Sequence, residues 1–178
     1  MAFAPRINNA ERRDAVLFIY RPAASKCPET ILAILAAYKK LRPQTKVRAF
    51  GFAAWHHPLV DEYFIDPSTE TIPDLYSGSD FYVTAGRFEG SPLPPLEAMA
   101  CGCIPVASKS GVLDYLRNRR NGLIFDHKKP EAVAATMADV IANDERRRAM
   151  IRNGLLTARE RPMEKLFAAF ESGIYATG

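Results

Sequence analysis

The sequence predicts an α/β fold, a doubly wound parallel sheet, on three observations. Short runs such as 15–20 and Phe81–Thr84 are apolar on consecutive residues, as strands buried on both faces must be. Segments with helical spacing separate these runs, and that alternation belongs to parallel sheets joined by right-handed crossovers. The chain of 178 residues, 48% hydrophobic and 25% charged, fits one domain with a proper core.

Taken in order, residues 1–13 are polar and aperiodic and read as a loose N-terminal segment, with the domain spanning 14–178. Strand 15–20 leads through a loop rich in Pro, Ala and Ser to a helix over 29–41, where Ile31, Ile34, Leu35, Tyr38 and Leu41 form one apolar face. Residues 46–52 read as the next strand. The stretch 53–71 breaks any pattern at Trp55-His-His-Pro58 and Asp66-Pro67, leaving a short strand at Glu62–Ile65 and a helical turn at 73–76. After Phe81–Thr84 comes a helix at Pro94–Ala100, opened by prolines whose missing N–H groups cost nothing there and closed by Gly102. Strands at 104–107 and 122–125 follow, then helices at 130–141, 145–159 and 163–174. Ligands of such sheets sit at the carboxyl ends of the strands, so chemistry is expected in the loops after Tyr20, Phe52, Thr84 and Ser108.

Composition narrows the function classes. No apolar run of about 18 residues is present to span a membrane, and no leader-like segment follows Met1. Three cysteines, two of them in Cys101-Gly-Cys103, match neither a disulfide framework nor a zinc spacing, which points to a reducing, cytoplasmic setting. The net charge of +4 suits an anionic ligand and is compatible with peripheral contact on an anionic membrane. The arginine runs 117–120 and 146–148 read as solvated helix faces. No aromatic residues alternate with them as a single-strand groove requires, so no nucleic-acid partner is expected. His56 and His57 lack partners at metal spacing, and no metal site is expected.

One loop carries the candidate chemistry: Arg87-Phe-Glu89-Gly-Ser-Pro-Leu-Pro-Pro-Leu-Glu97-Ala-Met-Ala-Cys-Gly102. It sets Glu89 in a Gly/Pro loop at a strand's mouth and Glu97 early in the following helix. The start of that helix offers unpaired N–H groups and a partial positive charge to a phosphate. Arg87, just before the motif, reads equally as a phosphate contact, an acceptor contact or a surface residue.

Glu89, seven residues, and Glu97, followed by Ala-Met-Ala-Cys-Gly and a Pro-Val strand, resemble the E-x7-E signature of family 4 retaining glycosyltransferases. Further pieces match in order. Ser110-Gly111 before Asp114-Tyr-Leu116 is similar to the family's Gly-Gly-x-x-Glu turn, with Asp114 near its Glu. Asn121-Gly122-Leu-Ile-Phe125 is similar to its next strand, and Pro130-Glu131 to the opening of its Asp-Pro-Glu helix. The resemblance covers roughly 14–175 and implies the C-terminal, Rossmann-like, nucleotide-sugar-binding half of a GT-B fold.

It also implies roles. Arg21 ends the first strand and Lys26 follows five residues later, at the family's spacing for two cations that grip the donor diphosphate. Glu97 would hold the ribose, Glu89 would face the sugar, and Gly90, Ser91, Leu93 and Pro94 would line the donor site. The donor is then a nucleoside-diphosphate sugar, with no metal or other cofactor required. Its base would be read by backbone groups of 53–72. An N-terminal acceptor-binding domain, or a partner subunit in its place, is needed for transfer. This sequence departs from the family at Ser91-Pro92, where Phe-Gly is usual, and Pro92 has no N–H to give. Two other readings stay open: a nucleotide-sugar-binding module without turnover, and an unrelated dinucleotide-binding protein. The second lacks any Gly-x-Gly-x-x-Gly after the first strand, where the chain reads Arg-Pro-Ala-Ala-Ser-Lys.

Overall fold

The computed structural model describes residues 3–6 and 13–161. Its centre is a six-stranded sheet: β1 (Ala15–Ile19), β2 (Lys46–Gly51), β3 (Glu62–Ile65), β4 (Phe81–Thr84), β5 (Ile104–Ser108) and β6 (Leu123–Phe125). The strands run in the order β3-β2-β1-β4-β5-β6 and every pairing is parallel. The apolar runs are buried as their composition demands: all five residues of β5 are buried, and four of the five in β1.

Among the described residues five helices cover the sheet: α1 (Pro28–Leu41), α2 (Ile72–Ser77), α3 (Pro94–Ala100), α4 (Pro130–Ala142) and α5 (Asp144–Glu160). Successive side chains of a strand point to opposite faces, and β1 shows the result. Val16 and Phe18 pack with α1 and α4, whereas Leu17 packs with Leu75 and Tyr76 of α2 and Ala98 of α3. The longer of the two faces holds Ile31, Ile34, Leu35 and Tyr38 of α1 against Val133, Met137 and Ile141 of α4. α5 contacts both α3 and α4, and its Asn143 cap accepts a hydrogen bond from the Arg146 N–H at 2.9 Å.

The expected elements are all present over the described residues, with ends shifted by one or two positions. One short piece was not anticipated, a 3₁₀ turn at Ala24–Lys26 closed by Cys27 in the left-handed region (φ 47). The helix expected at 163–174 lies outside the described residues. Pro105 sits within β5, although proline removes a ladder donor. Its carbonyl faces Gly122, where an added Cβ would come within 2.7 Å of it. On that side the ladder to β6 begins only at Val106, so no donor is missed.

The irregular stretch after β2 is held by aromatic stacking rather than by backbone ladders. Trp55 stacks on Tyr20 with ring centres 3.9 Å apart and meets Phe18 edge-on, while Tyr63 donates to the Ala53 carbonyl at 2.8 Å. The described part of the N-terminal segment touches the same body. Phe3 meets Tyr76 edge-on, and the Arg6 N–H donates to Ser77 Oγ at 3.2 Å. The three thiols are buried and form no disulfide, and among the described residues no helix is long and apolar enough to cross a membrane.

Phe18 is fully buried between the α1–α4 layer and Trp55. Phe18→Ala is therefore expected to lower the unfolding free energy by about 3–5 kcal/mol in urea titration, the range for an aromatic deletion that leaves a cavity.

Candidate active site

The strand order reverses direction between β1 and β4. The chain leaves β1 toward β2 on one side, and β5 continues from β4 on the other, so the loops beyond these two strands diverge and leave a crevice. A cleft of about 250 Å³ occupies it, lined by Arg21 and Lys26 from the β1 loop, Glu89 from the β4 loop, and Pro92 to Pro95 at the start of α3. Ile19, Tyr82 and Thr84 from the strands and Ile31 from α1 complete it.

Each charged group has a local reason for its place. The Tyr20 N–H still donates to the Phe50 carbonyl at 2.8 Å, and Arg21 is the first residue free of the sheet, with its guanidinium 6.0 Å above the Phe52 ring. The 3₁₀ turn then folds back, with the Lys26 N–H donating to the Ala23 carbonyl at 2.9 Å, and brings the lysine over the β4 loop. There Lys26 Nζ donates to Glu89 Oε1 at 2.6 Å, both side chains being half-buried. Neighbouring backbone fixes the Glu89 loop. The Arg87 N–H donates to the Ser25 carbonyl, the Glu89 N–H to Ser110 Oγ, and Ser108 Oγ to the Gly86 carbonyl, at 2.8, 2.8 and 2.6 Å. Two glycines make this packing possible. A Cβ on Gly86 would run into the Glu89 carboxylate, and Gly111, at φ 68, passes so close to the Glu89 and Gly90 carbonyls that a side chain has no room.

Glu97 stands in the first turn of α3 and is not among the residues lining this cleft. Its Oε2 accepts the Tyr76 hydroxyl at 3.0 Å. Burial raises its pKa above the usual carboxylate range, while the Tyr76 hydrogen bond and the charge of Arg21 pull the other way. Burial also pushes the Tyr76 phenol well up, so Tyr76 remains the donor.

The start of α3 departs from expectation. Leu93 precedes the helix, Pro94 and Pro95 fill its first two positions, and no side chain caps it. The N–H groups of Leu96 and Glu97 both turn back to the Leu93 carbonyl. With Pro92 also lacking an N–H, the amides of Gly90, Ser91 and Leu93 are the ones left without an acceptor among the described residues. The Pro92 carbonyl is anchored by the Tyr115 hydroxyl at 2.7 Å.

Of the residues singled out in the sequence, Arg21, Lys26, Glu89, Leu93 and Pro94 meet on one cleft. Gly90 and Ser91 lie exposed on the loop, and Glu97 lies outside the lining. Asp114 turns away, paired with Arg161 at the end of α5 (2.6 Å). The supporting roles of the Tyr76, Ser108, Ser110 and Tyr115 hydroxyls were not assigned from the sequence, although Ser110 and Tyr115 fall within the turn resembling Gly-Gly-x-x-Glu. Each acts across at least 21 positions of chain, a separation that a local pattern does not register.

Comparison with known proteins agrees with this fold. The sequence model described as "Glycosyl transferases group 1" matches residues 3–156. A D-inositol 3-phosphate glycosyltransferase of Segniliparus rotundus is 27% identical over 161 residues, covering 82% of this chain and 36% of that protein. A glycogen synthase of Ralstonia nicotianae is 36% identical over 74 residues, covering 36% of this chain and 14% of the synthase. This chain thus spans about a third or less of the length of these relatives. Among solved structures, the C-terminal domain of a glycosyl transferase group 1 family protein from Francisella tularensis superposes with a TM-score of 0.74 at 23% identity, over 90% of this chain and 95% of that domain. The HepE protein of Anabaena, solved with UDP and glucose, gives 0.74 at 17% identity, over 92% of this chain and 49% of its own. The chain belongs to the group 1 glycosyl transferases, and its fold is that of their C-terminal Rossmann-like domain.

Proposed function

We propose that this chain is the donor-binding domain of a retaining, family 4 type glycosyltransferase that moves a sugar from a nucleoside diphosphate to an acceptor. The observation that carries the reading is the convergence of Arg21, Lys26 and Glu89 on one cleft at the switch point, with Glu97 in the first turn of α3. Transfer breaks the bond between the anomeric carbon and the diphosphate oxygen, so negative charge grows on the leaving group and positive charge on the sugar ring. Arg21 and Lys26 meet the first with charge-assisted hydrogen bonds, and the free amides of Ser91 and Leu93 add to them. Glu89 meets the second and orients the sugar hydroxyls. Glu97 accepts the ribose hydroxyls. In this scheme two cations do the work often given to a metal, and none is required.

The Lys26–Glu89 ion pair supports the assignment through its reach. It spans the crevice where a diphosphate would lie, so one side chain holds the leaving group while its neighbour turns to the sugar. Because the relatives are far longer, the acceptor site is assigned to an N-terminal domain or partner, with the protein cytoplasmic or peripheral to an anionic membrane. A second reading, a nucleotide-sugar-binding module without turnover, is favoured by one feature. Prolines at 92, 94 and 95 strip donors from the diphosphate cradle.

Calorimetric titration with UDP, GDP, ADP and dTDP is expected to show selective binding of one nucleotide. Binding should weaken by about tenfold or more in Lys26→Ala and in Glu97→Ala, as loss of a charged hydrogen bond implies. A folded chain that binds none of the four sinks the reading.

The raised pKa of Glu97 has a stability consequence. Between the unfolded carboxylate value and the raised folded one, the native state holds more protons than the unfolded state. This group's contribution to stability therefore falls as pH rises through that window. Glu97→Gln, which can still accept from Tyr76, is expected to raise the melting temperature at pH 7–8 without ligand. At a pH below the ordinary carboxylate range the gain should disappear, and an equal gain at both pH values would contradict this account.

A further inference from the structure

A second, larger cleft opens on the other side of the Glu89 loop. It has a volume of about 800 Å³ and lies at the mouths of β4, β5 and β6, reaching Thr30 of α1. Its charge is one-sided. Arg87 comes from the loop after β4, Lys109 from the loop after β5, and Lys128 from the loop after β6. None of these three side chains is hydrogen-bonded or ion-paired to a described residue, whereas Lys26 next door is tied to Glu89. The single carboxylate in the lining, Asp126, is partly engaged, since its Oδ1 accepts the Lys128 N–H at 3.1 Å. Three cations from three separate loops thus surround one open space, an arrangement whose mutual repulsion an oxyanion would relieve.

Hydrogen-bonding groups are available as well. Ser110 Oγ accepts the Glu89 N–H, which leaves its own proton to give. His127 Nδ1 is buried and has no hydrogen-bond partner. The floor of the cleft includes Gly86, the residue against which the Glu89 carboxylate packs. The cleft therefore backs directly onto the carboxylate assigned to the transferred sugar, on the opposite side from the Arg21 and Lys26 cleft.

We propose that this cleft is a second anion site, in which Arg87, Lys109 and Lys128, with Ser110 and His127, bind a phosphate or carboxylate group carried by the substrates beyond the donor diphosphate. The inference rests on the donor-binding reading and narrows the substrate class: the sugar transferred or the acceptor bears a negative charge near the reacting carbon.

The test is a titration of the ¹⁵N-labelled chain with inorganic phosphate, first alone and then with the tightest-binding nucleoside diphosphate already present to fill the first cleft. The expected result is a set of saturable shifts at the amides of Gly86, Arg87, Lys109, Ser110 and His127. The His127 ring titration should also move up, because burial and the charge of Arg87 now hold it down. In the double variant Arg87→Ser, Lys109→Ser, at two exposed positions, the apparent affinity should weaken by about tenfold or more, as loss of two charge-assisted contacts implies. Shifts confined to the Arg21–Lys26 loop, or unchanged in the double variant, overturn the proposal. If no nucleoside diphosphate binds, the donor reading fails, yet the phosphate titration alone still decides whether this cleft takes an anion. A final arm separates the sources by comparing the glucose and glucuronate forms of the preferred nucleotide sugar. Tighter binding of the glucuronate form, lost in the double variant, places the charge on the donor sugar. Equal binding, with the phosphate shifts retained, places it on the acceptor.

Discussion

A parallel sheet buried on both faces is the constraint from which the rest of this structure follows. Its strands must be apolar on both sides, so they are short and uninterrupted, and its connections must cross over one face or the other. With the order β3-β2-β1-β4-β5-β6, the connections change face between β1 and β4. The loops on either side of that gap are pushed apart by the layers beneath them. The topology leaves a crevice at that point, and there Arg21, Lys26 and Glu89 are found together.

The charges of the crevice balance one another within the protein and would suit an anion on the donor-binding proposal. Lys26 and Glu89 neutralise each other across it. A half-exposed pair of this kind is worth about 0–1 kcal/mol in net stability, because solvent already screens both partners. On the donor-binding proposal, a diphosphate would bring roughly two negative charges to Lys26 and Arg21. At about 4 Å and an effective dielectric constant of about 20, each contact is of order 4 kcal/mol before desolvation is subtracted. The Lys26–Glu89 pair has a gross attraction of the same order, so on the donor-binding proposal the diphosphate would compete with Glu89 for Lys26. On that proposal, releasing Glu89 from Lys26 would be part of binding and would leave the carboxylate to the sugar. Glu97 is in the opposite condition. Its burial disfavours the charge it needs, and Tyr76 offers one hydrogen bond where ribose hydroxyls would supply more.

Fold and site were legible in the sequence to different depths. The sheet was legible because double burial leaves consecutive apolar residues, and the helices because α1 shows Ile31, Ile34, Leu35 and Tyr38 on one stripe. The Glu89–Glu97 spacing and the Arg21–Lys26 spacing were legible as motif. The support behind them was not. Ser110 under Glu89, Tyr76 on Glu97 and Tyr115 on Pro92 join distant segments through single hydroxyls, and a serine or tyrosine at a loop or helix carries no mark of its partner. The 3₁₀ turn that aims Lys26 was hidden in a segment read only as a loop. Nor was Arg87 resolved, because its meaning depends on Lys109 and Lys128, which lie on loops that only the folded sheet brings alongside.

The prolines at the start of α3 connect these points. A helix start usually offers several N–H groups to a phosphate, and that share of the binding is insensitive to which side chains surround it. Here three of the four residues from 92 to 95 have no N–H, and the free amides are those of Gly90, Ser91 and Leu93. What the prolines give instead is rigidity. Pro92 is pinned through its carbonyl to Tyr115, and Pro94 and Pro95 fix the backbone angles at the entry to the helix. The loop carrying Glu89 is thus held between Ser110 on one side and a stiff helix entry on the other. On the donor-binding proposal, fewer amides would share the diphosphate charge, Arg21 and Lys26 would carry more of it, and backbone dipoles would be traded for mobile side chains on a fixed frame.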